Sequence, residues 1–364
     1  MTPLTLHNFH AAHGARFATV RGCEVVEDYG DWLAEHAALR ASCGVLDLSF
    51  RSRLVLAGGD RVRLLNGQVT NNVKDLPAGE GCYAALVTNK GRMQSDLNIH
   101  ILPGEILLDF EPGLTAAIAE RFEKYIVADD VQVIDAAPHY GLLSVQGPQS
   151  WSVIERAGLP VTRPEKEFQS RQLQHETFGE IYVVNLPRTD TGGFDLFVPV
   201  AALETLAEKL LAAASALGGR AAGWRALETV RIEAGIPRFG AEMNETNLPP
   251  EAGLEARAIS YTKGCYIGQE IIARLRTYGQ VAKALRGLRF ADGAGALPKP
   301  GDKLFFDGKE VGYVCQALHS PSLQANIGLG YVRRERNQPG TTLQARAGGG
   351  EESSVVIVEL PFGP

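Results

Sequence analysis

The stretch Lys263-Gly264-Cys265-Tyr266-Ile267-Gly268-Gln269-Glu270 carries the residues best suited to chemistry. Gly264 and Gly268 bracket a thiol and a phenol, and glycines let a backbone approach a ligand or adopt positive φ. The run Gln269 to Leu275 reads as a helix start. A thiol just ahead of a helix N-terminus and two residues from the Lys263 ammonium is expected to be acidified, and a thiolate is a nucleophile and a metal ligand. The alternative for Cys265 is a buried structural cysteine in a tight turn, the commoner fate of a free cysteine.

Two further side chains stand out against their local pattern. Asp96 lies among Met93, Leu97 and Ile99 in a strand-like run. An aspartate inside a strand is unfavourable without a task, although it can also face solvent. Arg231 falls on the apolar stripe of Leu227, Val230 and Ala234. A charge on a buried stripe must be paired or must bind something, and Glu228 and Glu233 are the nearby internal partners.

Several elements must position these groups. Helices are expected over Asp31–Ala41 with Gly44 as the stop, after an Asp60 cap, from Thr115, over Leu203–Leu217 and over Trp224–Ala234, each with an apolar face. Val45–Leu56 reads as a strand. Tyr83–Ile101 reads as a hairpin turning at Asn89-Lys90-Gly91. After Val281 glycine and proline become frequent and the runs become short and β-like. Asp307-Gly308 between Leu304 and Val314 predicts a type I′ hairpin. The class is α+β, with an interleaved region over 1–282 and a small β-barrel over 283–364.

The chain has 364 residues and a formal net charge of −6, with 45% hydrophobic residues. Such a chain can bury a sizeable core, and it lacks the basic stripe of a nucleic-acid protein. Five cysteines, Cys23, Cys43, Cys82, Cys265 and Cys315, are widely spaced without a C-x-x-C pair. That argues against a zinc ribbon or a self-contained iron–sulfur ligand set and for free thiols in a reducing compartment. No apolar run reaches membrane-spanning length. The N-terminus lacks a secretory pattern, so a cytoplasmic protein is expected.

The Lys-Gly-Cys-Tyr-x-Gly-Gln-Glu run resembles the signature of the YgfZ family, relatives of the glycine-cleavage T-protein. The likeness extends along most of the chain. Glu35-His36, Arg40 and Gly44 to Ser49 are similar to the early T-protein segment, and Gly91 to Leu97 to the strand bearing its aspartate. Gln146-Gly147-Pro148-Gln149-Ser150 and Arg231-Ile232-Glu233-Ala234-Gly235 also match family runs.

This resemblance implies a T-protein-like ring of α+β domains around a central folate channel, followed by a small β-barrel. It implies tetrahydrofolate or another reduced folate as the ligand. Asp96 falls at or next to the aspartate that orients folate N5, Tyr83 is placed to border the ring, and Arg231 to meet a folate carboxylate. The T-protein's pterin-gripping glutamate is missing from Arg188-Thr189-Asp190-Thr191-Gly192-Gly193-Phe194-Asp195, where Asp190 or Asp195 would have to substitute. Two activities follow. One is a monomeric accessory protein for iron–sulfur enzymes or assembly proteins, including tRNA-thiolating enzymes, with Cys265 as the reactive thiol in an environment shaped by Lys263, Gln269 and Glu270. The other is a folate-dependent aminomethyltransferase.

Overall fold

A computed structural model describes residues 1–291, 296–346 and 352–363. The chain divides into two compact units, one of residues 1–84 with 96–230 and one of residues 85–95 with 231–364.

Besides a two-stranded ribbon of Arg16–Val20 and Cys23–Asp28, the first unit carries two larger sheets. One has six strands in the order Ser170–His175, Gly179–Asn185, Gly193–Pro199, Tyr140–Gln146, Gly44–Asp47 and Arg220–Ala221. The other has five, in the order Gly81–Val87, Met93–Leu102, Glu105–Phe110, Ser52–Ala57 and Gln132–Asp135. Helices Ser150–Arg156 and Leu203–Ser215 cover the six-stranded sheet. Leu206, Leu210 and Ala214 repeat at four-residue spacing and join Val145, Leu196 and Val198 in one core. Apolar area removed from water there drives the packing at roughly 25 cal/mol per Å².

The Val45–Leu56 run is one strand-like stretch in sequence, but it folds as two strands in different sheets. Gly44–Asp47 pairs with Tyr140–Gln146, and Ser52–Ala57 pairs with Glu105–Phe110. Residues 48–51 carry the chain from one sheet to the other. Arg53 fixes that crossing. It is 1% exposed and donates to the carbonyls of Tyr140 (3.1 Å), Arg51 and Ser49 (both 2.9 Å).

Helix Trp32–Ala41 starts as expected, with the Asp31 carboxylate accepting from the Ala34 amide at 3.1 Å. It ends at Ser42, and Gly44 instead opens the next strand, where a Cβ would lie 2.6 Å from Leu39 Cδ2. The expected Asp60 cap is corrected too. Helix Arg61–Gln68 has no side-chain cap, and the Asp60 carboxylate accepts from the Asp130 amide at 3.0 Å.

In the second unit six strands close a barrel in the order Lys283–Phe290, Ala325–Arg333, Lys309–Ser320, Lys303–Phe306, Thr342–Arg346 and Glu352–Val358. Closure leaves no sheet edge exposed. Asp307 (φ 48°) and Gly308 (φ 74°) form the two-residue turn with both residues left-handed, as a type I′ hairpin demands.

Candidate active site

Asp96 sits in the strand Met93–Leu102 and is 9% exposed. The Tyr83 hydroxyl, from the neighbouring strand Gly81–Val87, donates to its Oδ2 at 2.8 Å. Asn71 Nδ2 donates to the Tyr83 carbonyl at 2.9 Å and ties that strand to the preceding loop. Burial, reinforced by the nearby Glu111 carboxylate, pushes the Asp96 carboxyl up to about 6, against the opposing Tyr83 bond and Arg51. A carboxyl poised there exchanges its proton near neutral pH, as a general acid or base must.

Asp96 opens a line of buried charge. Arg51 donates to Asp109 at 2.7 Å and to Glu111 at 2.6 Å. Asn98 and Arg188 donate to the second Asp109 oxygen at 2.8 and 2.9 Å. Arg188 also grips both oxygens of Asp195, which accepts from Ser144 Oγ at 2.7 Å. Gln146 closes the line. Its Nε2 donates to Ser144 Oγ at 2.8 Å, and its Oε1 accepts from the Arg188 amide at 2.9 Å. Burial alone would raise the Asp109 carboxyl, but Arg51 and Arg188 outweigh it and hold it well below the usual range. Alternation along the strands explains the alignment. Asp96, Asn98 and His100 share one face of their strand, and Asn98 pairs with Asp109 in register.

Asp195 therefore lies inside this line, fully buried between Arg188 and Ser144. Asp190 is at the surface, 2.6 Å from Arg40. Of the two aspartates offered as a substitute for the missing glutamate, Asp195 is fully engaged in the interior, while Asp190 gives one oxygen to Arg40 at the surface. Arg231 is 5% exposed and pairs with Glu242 at 2.9 and 3.2 Å. Its expected internal partners were Glu228 and Glu233. Glu233 accepts from the hydroxyl of Ser320 at 2.5 Å.

The Lys263–Glu270 segment belongs to the second unit. Cys265 is exposed and Tyr266 is buried. Lys263 is 8% exposed, with Nζ over the Tyr266 ring at 5.1 Å from its centroid, a cation–π contact. Gly268 takes φ 83° as the residue before helix Gln269–Tyr278, and a Cβ there would come within 2.4 Å of the Thr88 carbonyl. Glu270 pairs with Arg274 one turn on at 2.6 Å, and Gly264 has open space around it. Among the described residues no group of three or more His, Cys, Asp or Glu side chains converges as a metal site.

Arg51, Asp109, Glu111 and Arg188 escaped the reading of the sequence. The usable signal was Asp109 and Glu111, two acids at two-residue spacing at the end of the apolar run Ile106–Leu108, with no local cation to match them.

Two packed sheets followed by a six-stranded barrel define the class, an α+β fold of the T-protein type. The chain belongs to the glycine-cleavage T-protein family: residues 6–263 match its GCVT N-terminal domain and residues 283–363 its C-terminal barrel domain. It is similar to an aminomethyltransferase of Halothermothrix orenii, at 28% identity over the full length of both chains. It is 31% identical to a putative chloroplastic transferase of Arabidopsis thaliana, over 87% of this chain and 71% of that protein. The crystal structure of the glycine cleavage system aminomethyltransferase T from Bartonella henselae shares the fold. The TM-score is 0.90 at 24% identity, covering 100% of this chain and 98% of that one.

Proposed function

We propose that this chain is a tetrahydrofolate-dependent transferase of the aminomethyltransferase type, in which Asp96 is the reacting carboxylate. The observation that carries the reading is the buried Asp96, steadied by Tyr83 and poised to hold or release a proton at about 6. A carboxyl of that acidity suits the amine of a reduced pterin, which needs an acceptor for its proton and an acid to return it. The aminomethyltransferase names of similar proteins support the same activity. A weaker hold on the pterin follows from the missing glutamate and the engagement of Asp195 with Arg188 and Ser144. Arg231, which the resemblance offers for a folate carboxylate, is paired with Glu242. Incubation with aminomethylated lipoyl carrier protein and tetrahydrofolate tests the reading. Methylene-tetrahydrofolate forming with turnover supports it, and a lack of product over the uncatalysed rate contradicts it.

A second reading has its own observation, the exposed Cys265 within a run resembling the YgfZ family. There the chain would bind reduced folate and assist iron–sulfur enzymes or their assembly proteins, including those that thiolate tRNA, through that thiol. Complementation decides it. Cys265→Ala should fail to restore iron–sulfur enzyme activity to a strain lacking the protein, and full restoration would remove Cys265 from the account.

A further inference from the structure

A cavity of about 230 Å³ opens in the first unit, between the six-stranded and five-stranded sheets. Its apolar floor includes Val55, Leu107 and Phe197, and its rim includes Glu105, Tyr140 and Tyr182. Leu102, which also lines it, shares a strand face with Asp96 six residues away, so the cavity lies about 20 Å along the strand from that carboxylate. It is separate from the candidate active site.

The rim is acidic and aromatic. Glu105 is half-buried, and its carboxylate has no hydrogen-bond or ion-pair partner among the described residues. Glu180 stands near it and accepts from the Tyr182 hydroxyl at 2.5 Å. The nearby cation, Arg61, acts on Glu105 only at a distance and donates its Nη1 to the Gly58 carbonyl at 2.7 Å. A carboxylate without a hydrogen-bonding partner beside tyrosine rings attracts a cation that can also shed water.

We propose that this cavity binds a small organic ammonium ion, with its apolar body on Val55 and Leu107 and its charge against Glu105. The site is independent of the folate reading and stands or falls without it. Charge and aromatic walls set the specificity together. A neutral molecule of the same shape gains the floor but not the rim.

Burial, reinforced by Glu180, lifts the Glu105 carboxyl above its ordinary value, with Arg61 opposing. The other titratable groups at the rim are His139, Tyr140 and Tyr182. A ligand of permanent charge should therefore be released as pH falls through the Glu105 transition.

The probes are choline and its uncharged isostere 3,3-dimethylbutan-1-ol, titrated into the full chain and followed by methyl NMR signals of Val55 and Leu107. Choline should bind at least about tenfold more tightly, a difference of about 1.4 kcal/mol. Glu105→Gln should bring choline down to the level of the isostere and leave the isostere unchanged, with an unaltered melting temperature as the folding control. Tyr140→Leu should weaken choline several-fold more than the isostere. Equal binding of the two probes, choline binding indifferent to Glu105→Gln, or an absence of choline binding to the wild type would each overturn the assignment.

Discussion

The Tyr83 hydroxyl donates to the Asp96 carboxylate at 2.8 Å across neighbouring strands of the five-stranded sheet. That bond favours the ionised form, against burial and the neighbouring Glu111. Tyr83→Phe should therefore move the Asp96 carboxyl further upward. The check is a pH titration of the Asp96 carboxyl carbon by NMR, where a downward or absent shift would break the link between the two residues.

Stability should follow the same carboxyl in a definite direction. The folded-state value of Asp96 is about 6, above the ordinary 3.8. Its contribution to stability is therefore fully present below the ordinary value and is lost as pH rises through about 6. Asp96→Asn removes that loss. The variant should be more stable than wild type at pH 7.5 by about 2–3 kcal/mol, and the advantage should shrink as pH falls towards 4. Urea unfolding at several pH values measures it. A variant less stable at pH 7.5 than at pH 4, relative to wild type, would contradict the sign.

Arg188 joins Asp109 to Asp195 in the interior. Arg188→Met leaves the buried Asp195 without its cation, and Asp109 with Arg51 alone, and should cost about 3–5 kcal/mol. Adding Asp195→Asn should recover part of that loss, because one stranded charge is removed. A double-mutant cycle by urea unfolding reads the coupling, and strict additivity would mean that the line of charge is not a unit.

The five cysteines should separate by exposure. Burial pushes the Cys43 thiol up to about 11 and raises that of Cys315 as well, whereas Cys265 is exposed. Iodoacetamide at pH 8 should label Cys265 well before Cys43 and Cys315, as read by peptide mass spectrometry. Labelling of Cys315 first would contradict the structure around it.

Local signals in the sequence carried part of this picture, and their limits have physical causes. The Asp307-Gly308 turn was legible because two adjacent positive-φ residues are a chemical demand on the sequence itself. Asp96 was legible as an acid inside an apolar strand, and Arg231 as a charge on an apolar stripe. Its contact with Glu242 was not, since Glu242 lies eleven residues on, beyond helical reach. The split of Val45–Leu56 between two sheets left no trace, because the apolar pattern runs on through the crossing. Arg51, Asp109 and Arg188 look like surface charges one at a time. Only pairing between positions 58 and 79 residues apart buries them together.

Methylene-tetrahydrofolate formation by Asp96→Asn, compared with wild type in the same assay, tests the central claim most directly. If Asp96 is the reacting carboxylate, wild type turns over and the variant falls by roughly 10²–10⁴-fold, the usual contribution of a positioned acid or base, while tetrahydrofolate still binds. A wild type without turnover, or a variant as fast as wild type, would contradict it.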